Sequence, residues 1–289
     1  YGLACYEDGG LLVDGILLRL SYDCFWYAQA DGDFYSWARA HAVGYDVNIT
    51  DPKIFISQVQ GPNALKVLEA ASDDGMPDPF GYFALARVNF GWQEVVVTRT
   101  GYTNELGWRY YTESQHDAER LWTHLKKAGE PFGIEIFGLD SMHIRRIEAG
   151  ILNAGPDFNH MTTPYDVGLG IFIDQDKGDF IGKTALANVS RTARLTGILC
   201  QAQPHIGAEI RINGQAIGKV TADAISPYLK QGIGIALMNK SCYAFDTVVM
   251  IGCVDGEFHE GSLAELPLYD KRGGIQRGKL VEFPKYSSL

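Results

Sequence analysis

Two stretches of this 289-residue chain set acidic and aromatic side chains where they could do chemistry. In the first, Gly101-Tyr102-Thr103-Asn104-Glu105-Leu106-Gly107, a turn holds a phenol and a carboxylate between two expected strands. Taken alone, such a turn is more often surface decoration than a site. In the second, residues 138–186, a helix expected over Leu139–Glu148 ends in a carboxylate, where the helix dipole disfavours negative charge. A loop rich in Gly, Pro and Asn follows, too long for a mere connector. Glu148 is therefore either aimed at a ligand or salt-bridged to Arg145 or Arg146. Asp14 interrupts the apolar run Leu11–Leu20 and belongs either to a bulge or to a site. The motifs of dinucleotide, P-loop, zinc-protease and serine-hydrolase chemistry are missing. His116, His124 and His160 are isolated, with no second ligand at metal spacing, so no metal is expected. By elimination the chemistry falls to carboxylates and aromatics around a bound organic cofactor, which spacing alone does not name.

The elements that must position these groups follow from periodicity. Leu11–Leu20 and Cys24–Ala30, separated by Ser21-Tyr22-Asp23, predict a hairpin. Asp33 caps a helix running to about Val43, ended by Gly44. Asp46–Val59 alternates as a strand, and Pro62 stands in the first turn of the helix after it. Phe83–Arg87 and Glu94–Arg99 read as strands around a Gly91-Trp92 turn, and Trp108–Thr112 as another. Gln115–Ala128 predicts a helix with Ala118, Leu121, Trp122 and Leu125 on its buried face. The helix before Glu148 shows the apolar stripe Leu139, Met142, His143, Ile144 and Ile147. From about residue 195 the helical period disappears. Leu195–Cys200, Glu209–Ile212, Ala216–Ala222, Gly232–Leu237 and Thr247–Ile251 read as short strands, and Asn213-Gly214 as a hairpin turn. The fold class is α+β with a small C-terminal β-barrel, divided into domains 1–194 and 195–289. The tail from Lys271 reads as a peripheral strap.

Formal net charge is −10, which excludes a nucleic-acid backbone as the main partner. No apolar run is long enough for a membrane helix. Five cysteines (Cys5, Cys24, Cys200, Cys242 and Cys253), odd in number and without CxxC spacing, argue against a disulfide framework and a zinc site and for a reducing cytoplasm. The chain opens at Tyr1 in a Gly-rich segment, which leads us to expect a missing N-terminal piece.

The quoted segments resemble those of a known family. The 101–107 turn is similar to its G-Y-T-G-E-x-G turn. Gly138-Leu139-Asp140 through Arg146-Ile147-Glu148-Ala149-Gly150 resembles its G-L-x-A-R-D-x-L-R-L-E-A-G helix. Thr162-Thr163-Pro164 and Asp179-Phe180-Ile181-Gly182-Lys183-Thr184-Ala185-Leu186 are similar to its T-S/T-P and D-F-I-G-x-x-A-L segments, and Gly9–Asp14 to its G-G-I-x-D-D strand. On these motifs the chain is identified as a member of the glycine-cleavage T-protein (aminomethyltransferase) family of tetrahydrofolate-dependent one-carbon transferases. The segment from Phe25 to Asp33, with Trp37-Ala38 and Ala42-Val43-Gly44, resembles the dimethylsulfoniopropionate demethylase branch.

The resemblance implies a folate-binding, aminomethyltransferase-type fold ending in a barrel, an enzyme, and tetrahydrofolate as cofactor. It implies Glu148 on the pterin donors, Glu105 as a second polar contact, Tyr27 and Tyr102 along the rings, and Lys177 toward the folate tail. The family's paired aspartates stand here as Val13-Asp14, so its catalytic acid is displaced or lost; Asp14 is the candidate catalytic residue, to orient folate N5 or take its proton. For a sulfonium substrate, Trp26 and Trp92, together with Tyr27, are available as an aromatic wall. The expected activity moves a methyl group from a small S-, N- or O-methylated substrate to folate N5. The alternatives are an aminomethyltransferase of a glycine-cleavage-type system and a non-catalytic folate-binding accessory protein. A homo-oligomer is left open.

Overall fold

The computed structural model describes residues 1–240 and 243–279; Cys242 and the tail beyond residue 279 lie outside them. The chain forms two compact units, and the division runs through a helix. The first unit holds residues 1–49 and 146–269. The second holds 50–145 with the described residues from Asp270 onward.

In the first unit, β1 (Gly2–Cys5), β2 (Leu11–Arg19) and β3 (Phe25–Ala28) make an antiparallel sheet in that order. The β2–β3 pair is the expected hairpin. Asp33 accepts from the Ser36 backbone N–H and caps α1 (Phe34–His41), as its side chain predicts. After residue 194 come β8 (Leu195–Cys200), β9 (Glu209–Ile212), β10 (Gln215–Ser226), β11 (Gln231–Met238), β12 (Val248–Gly252) and β13 (Phe258–Ala264). They close into a barrel in the order β10-β11-β8-β13-β12-β9. Asn213 and Gly214 both take positive φ between β9 and β10, as a two-residue hairpin demands. The sequence reading missed β13, whose Phe258-His259-Glu260-Gly261-Ser262 lacks an apolar alternation.

The second unit is a four-stranded antiparallel sheet with two helices packed on it. Its strands, β4 (Phe55–Gln60), β5 (Leu85–Phe90), β6 (Gln93–Thr98) and β7 (Gly107–Thr112), are ordered β4-β7-β6-β5. Helices α2 (Ala64–Ala71) and α3 (Ala118–Gly129) bury Leu68, Leu121 and Leu125 against Val88, Phe90, Val95, Val97 and Trp108. Three local expectations are corrected. Residues 46–54 are not strand, since Asp51-Pro52 interrupts the run and only Phe55–Gln60 pairs with β7. Pro62 precedes the Asn63 cap of α2 and does not sit in its first turn. Trp122 is exposed, while Leu121 and Leu125 carry the buried face of α3.

Helix α4 (Leu139–Ala149) crosses from one unit to the other between Arg145 and Arg146. Its end is where the sequence puts it. Gly150 takes φ +70, its N–H reaches the Ile147 carbonyl, and the Ile151 N–H reaches that of Arg146, a Schellman motif. A Cβ on Gly150 would also meet the Leu266 Cβ at 2.9 Å. Its burial follows the expected stripe only in part: Ile147 is buried and Met142 and Ile144 are half-buried, but Leu139 and His143 are exposed, and the charged Arg146 and Glu148 are buried instead. The charges are affordable inside because each is answered. Arg146 donates to Asp157 at 2.7 Å, and Asp157 accepts from the Thr221 hydroxyl of β10 at 2.6 Å. The remaining short helix, α5 (Lys183–Ala187), buries Leu186 in the first unit. Among the described residues no helix is long and apolar enough to cross a membrane, and no cluster of three or more metal-ligating side chains is present.

Candidate functional site

In the second unit the 101–107 turn is built around Gln60 of β4. The Thr103 hydroxyl donates to the Gln60 side-chain oxygen at 2.9 Å. A Cβ on Gly101 or Gly107 would overlap that amide, at 2.2 and 2.5 Å, and one on Gly107 would also meet the Val59 backbone carbonyl at 2.6 Å. Asn104 takes φ +57, a left-handed conformation that Asn tolerates where the family motif has Gly. This geometry turns Glu105 inward. Its Oε1 pairs with Arg145 of α4, and the two side chains retain only 12% and 13% of their surface. Its Oε2 is buried and has no hydrogen-bond donor. Burial pushes the Glu105 carboxyl up, Arg145 opposes that, and Asp270 adds to it.

The second unit holds further polar groups. Arg109, across the β4–β7 ladder from Gln58, lies 6.0 Å from the centre of the Tyr102 ring. Burial lowers its guanidinium pKa. The Gln58 amide donates to the Met142 sulfur at 3.2 Å, and its oxygen is buried without a partner. Trp92 lies elsewhere in the unit, in the β5–β6 turn. It is 83% exposed with the Arg120 guanidinium 5.5 Å from its ring, beside a shallow groove that includes Gln93 and His124. No residue of the 101–107 turn lines that groove.

In the first unit, Asp14 stands half-buried in β2 opposite Leu3 and accepts from the Tyr1 hydroxyl at 2.6 Å. Burial raises its carboxyl pKa; the Tyr1 hydrogen bond opposes that, and Asp31 adds to it. Strand alternation puts Trp26 on the face of Leu18 and Tyr27 on the other, with Leu17 and Gly15. Trp26 and Tyr27, both offered for an aromatic wall, are therefore divided between faces. Gly15 makes room for the Tyr27 ring: a Cβ there would meet it at 2.6 Å. Tyr27 donates to the Gly2 carbonyl, and burial, then the charge of Asp14, pushes its phenol well above the usual range. From Tyr27 a ladder of rings continues through Phe34, Trp37 and His41, with successive centroids 4.2, 5.8 and 4.1 Å apart.

Glu148 is completely buried. One oxygen accepts from the Ser226 hydroxyl at 2.5 Å and the other from the Tyr269 hydroxyl at 3.1 Å. Lys177 is exposed in a loop with its ammonium 4.6 Å from the Phe180 ring. Sequence reading missed Arg145 as the partner of Glu105 and Tyr1 as the partner of Asp14. Only Arg145 had left a signal, as a named alternative partner for Glu148.

Two family models match the chain. The GCVT N-terminal domain covers residues 1–177, and the glycine cleavage T-protein C-terminal barrel domain covers residues 194–270. The chain belongs to the glycine-cleavage T-protein family. An aminomethyltransferase of Caldanaerobacter subterraneus is 32% identical over 83% of this chain and 67% of its own length. One from Symbiobacterium thermophilum is 29% identical over 93% and 76%. The crystal structure of glycine cleavage system aminomethyltransferase T from Bartonella henselae has the same fold, with a TM-score of 0.82 and 23% identity over 93% of this chain and 75% of that one. Membership in the T-protein family makes the chain a one-carbon transferase with tetrahydrofolate as its cofactor. The residues present fit that cofactor. A reduced pterin presents an amino group and a ring N–H side by side, and the donor-less Glu105 Oε2 is an acceptor such donors require.

Proposed function

We propose that this T-protein family member moves a methyl group from a small S-, N- or O-methylated donor to tetrahydrofolate, with the pterin held through Glu105. The observation that carries the folate end is the buried, donor-less Glu105 Oε2, kept beside Arg145. A buried acceptor left unpaired costs about 1–3 kcal/mol, which a bound donor returns. Glu148 is the second candidate for the same donors, but its oxygens already accept from Ser226 and Tyr269, which favours Glu105. Tyr102, in the same turn as Glu105, is the residue offered to the ring, and the exposed Lys177 is the one offered to an acidic tail.

Tetrahydrofolate, when bound, supplies N5 as the nucleophile. In the first unit, Asp14 holds a proton more readily than an ordinary carboxyl and can give it to a departing oxygen or nitrogen. A sulfonium donor leaves as a neutral thioether and asks nothing of that acid. The ring faces of Tyr27, Phe34 and Trp37 would attract such a cation by roughly 0.5–2 kcal/mol. A dimethylsulfoniopropionate-type sulfonium is therefore the first donor to try, as the Phe25–Asp33 segment suggests.

The aminomethyltransferase names of the relatives support a second reading, in which an aminomethyl donor yields methylenetetrahydrofolate and ammonia. One experiment separates the two. The protein is incubated with tetrahydrofolate and sulfonium, methylamine, methoxyaryl or carrier-bound aminomethyl donors, and the folate products are resolved by chromatography. Methyltetrahydrofolate from any of the first three supports the proposal. Methylenetetrahydrofolate with ammonia selects the second reading, and folate binding without turnover of any donor overturns both. Glu105→Ala should abolish folate binding, and retained affinity would return the role to Glu148.

A further inference from the structure

We propose that Cys200 and Cys253 form a reversible intrachain disulfide, an oxidation-sensitive staple across one end of the barrel. Their sulfurs are 3.6 Å apart, in contact, and both side chains are buried in the barrel core with Ile198, Ile251 and Leu263. Cys200 ends β8 and Cys253 follows β12, with β13 lying between those strands in the ring. No backbone ladder joins β8 to β12 directly, so the bond would add a link the sheet does not supply. Closing the gap to a bonded distance of about 2.05 Å takes a side-chain movement of roughly 1.5 Å. The other described thiols stand apart: Cys5 is buried in β1, with Asp8 and Lys177 as its charged neighbours, and Cys24 is exposed before β3.

Hydrogen peroxide is a suitable oxidant because it is small enough to enter a closed barrel. One thiol gives up its proton, its thiolate attacks a peroxide oxygen to form a sulfenic acid, and the hydroxide expelled takes that proton and leaves as the first water. The second sulfur then attacks the sulfenic sulfur, forming the S–S bond and expelling the hydroxyl, which takes up the remaining thiol proton and leaves as the second water. The two sulfurs lose two electrons and the peroxide gains two. Burial, then the neighbouring Cys200, pushes the Cys253 thiol up to about 12, and nearby Asp255 pushes the same way against the backbone at His259. Little thiolate exists at neutral pH, so the linkage should form slowly there and faster as pH rises.

The test uses the native protein. It is treated with peroxide, unfolded, alkylated, digested and mapped by mass spectrometry without reduction. We expect one peptide pair joined through Cys200 and Cys253, formed faster at alkaline pH and released by a dithiol. Oxidised protein should melt roughly 5–10 °C above reduced protein, the scale for a bond closing a loop of about fifty residues. Cys253→Ser should show no such difference. If that variant does not fold, the wild-type map still decides. Recovery of both cysteines singly alkylated or over-oxidised, or linked to Cys5, Cys24 or Cys242, overturns the proposal.

Discussion

Replacing Arg145 by Met tests whether its guanidinium is what makes the inward carboxylate of Glu105 tolerable. The two groups are paired and keep only 12–13% of their side-chain surface. Removing one partner of a buried pair costs about 3–5 kcal/mol; with this residual exposure we expect roughly 2–3 kcal/mol at neutral pH. The pH dependence identifies the cause. The folded Glu105 pKa lies above its ordinary value because burial outweighs Arg145. A group raised in this way contributes stability below its unfolded pKa and loses it as pH climbs through the folded pKa. Without Arg145 the carboxyl is raised further, so the loss extends to higher pH. Urea titrations at about pH 5 and about pH 8 should therefore show a small penalty for Arg145→Met on the acid side and the full penalty on the alkaline side. Adding Glu105→Gln should recover most of it, because no buried charge is then left uncompensated. An equal penalty at both pH values, with no recovery in the double variant, would refute the reasoning and reduce Arg145 to a packing residue.

Other expected outcomes follow from single contacts. Asp14→Asn should lower turnover of an ether or amine donor by about 10²–10⁴-fold while leaving folate affinity unchanged, measured by steady-state kinetics and fluorescence titration. Wild-type turnover of those donors should fall as pH rises through the raised Asp14 pKa. Asp157→Asn leaves the buried Arg146 without its counter-charge and should cost about 3–5 kcal/mol in denaturant titration. Gly15→Ala drives a methyl group into the Tyr27 ring and should cost about 1–3 kcal/mol, with a change in near-ultraviolet dichroism as the ring moves.

What could be read locally was read well. Asp33, Gly150 and Asn213-Gly214 each act within a few residues of themselves, by capping a helix, ending one in a left-handed turn, or closing a hairpin. The barrel was legible because its strands are short, regular and punctuated by turns. The site was legible mainly as motif. Resemblance pointed to the 101–107 turn and the helix before Gly150, but not to which carboxylate would be left without a donor. The answers to the buried charges come from far along the chain. Glu148 bonds to Ser226 and Tyr269, 78 and 121 residues away, and Glu105 pairs with Arg145, 40 residues on. A helical period measures apolarity, so it assigned Leu139 and His143 to the core of α4 and left out Arg146 and Glu148.

The sequence by itself determined the caps and turns, the C-terminal barrel and, through ordered motifs, the family, because each rests on local backbone preference or residue identity. Only the tertiary structure decided that Glu148 turns into the fold, that Trp26 and Tyr27 occupy opposite faces of one strand, and that Glu105 keeps a buried oxygen unpaired. A carboxylate's role is set by the donors that reach it, and those donors become neighbours only when distant segments pack.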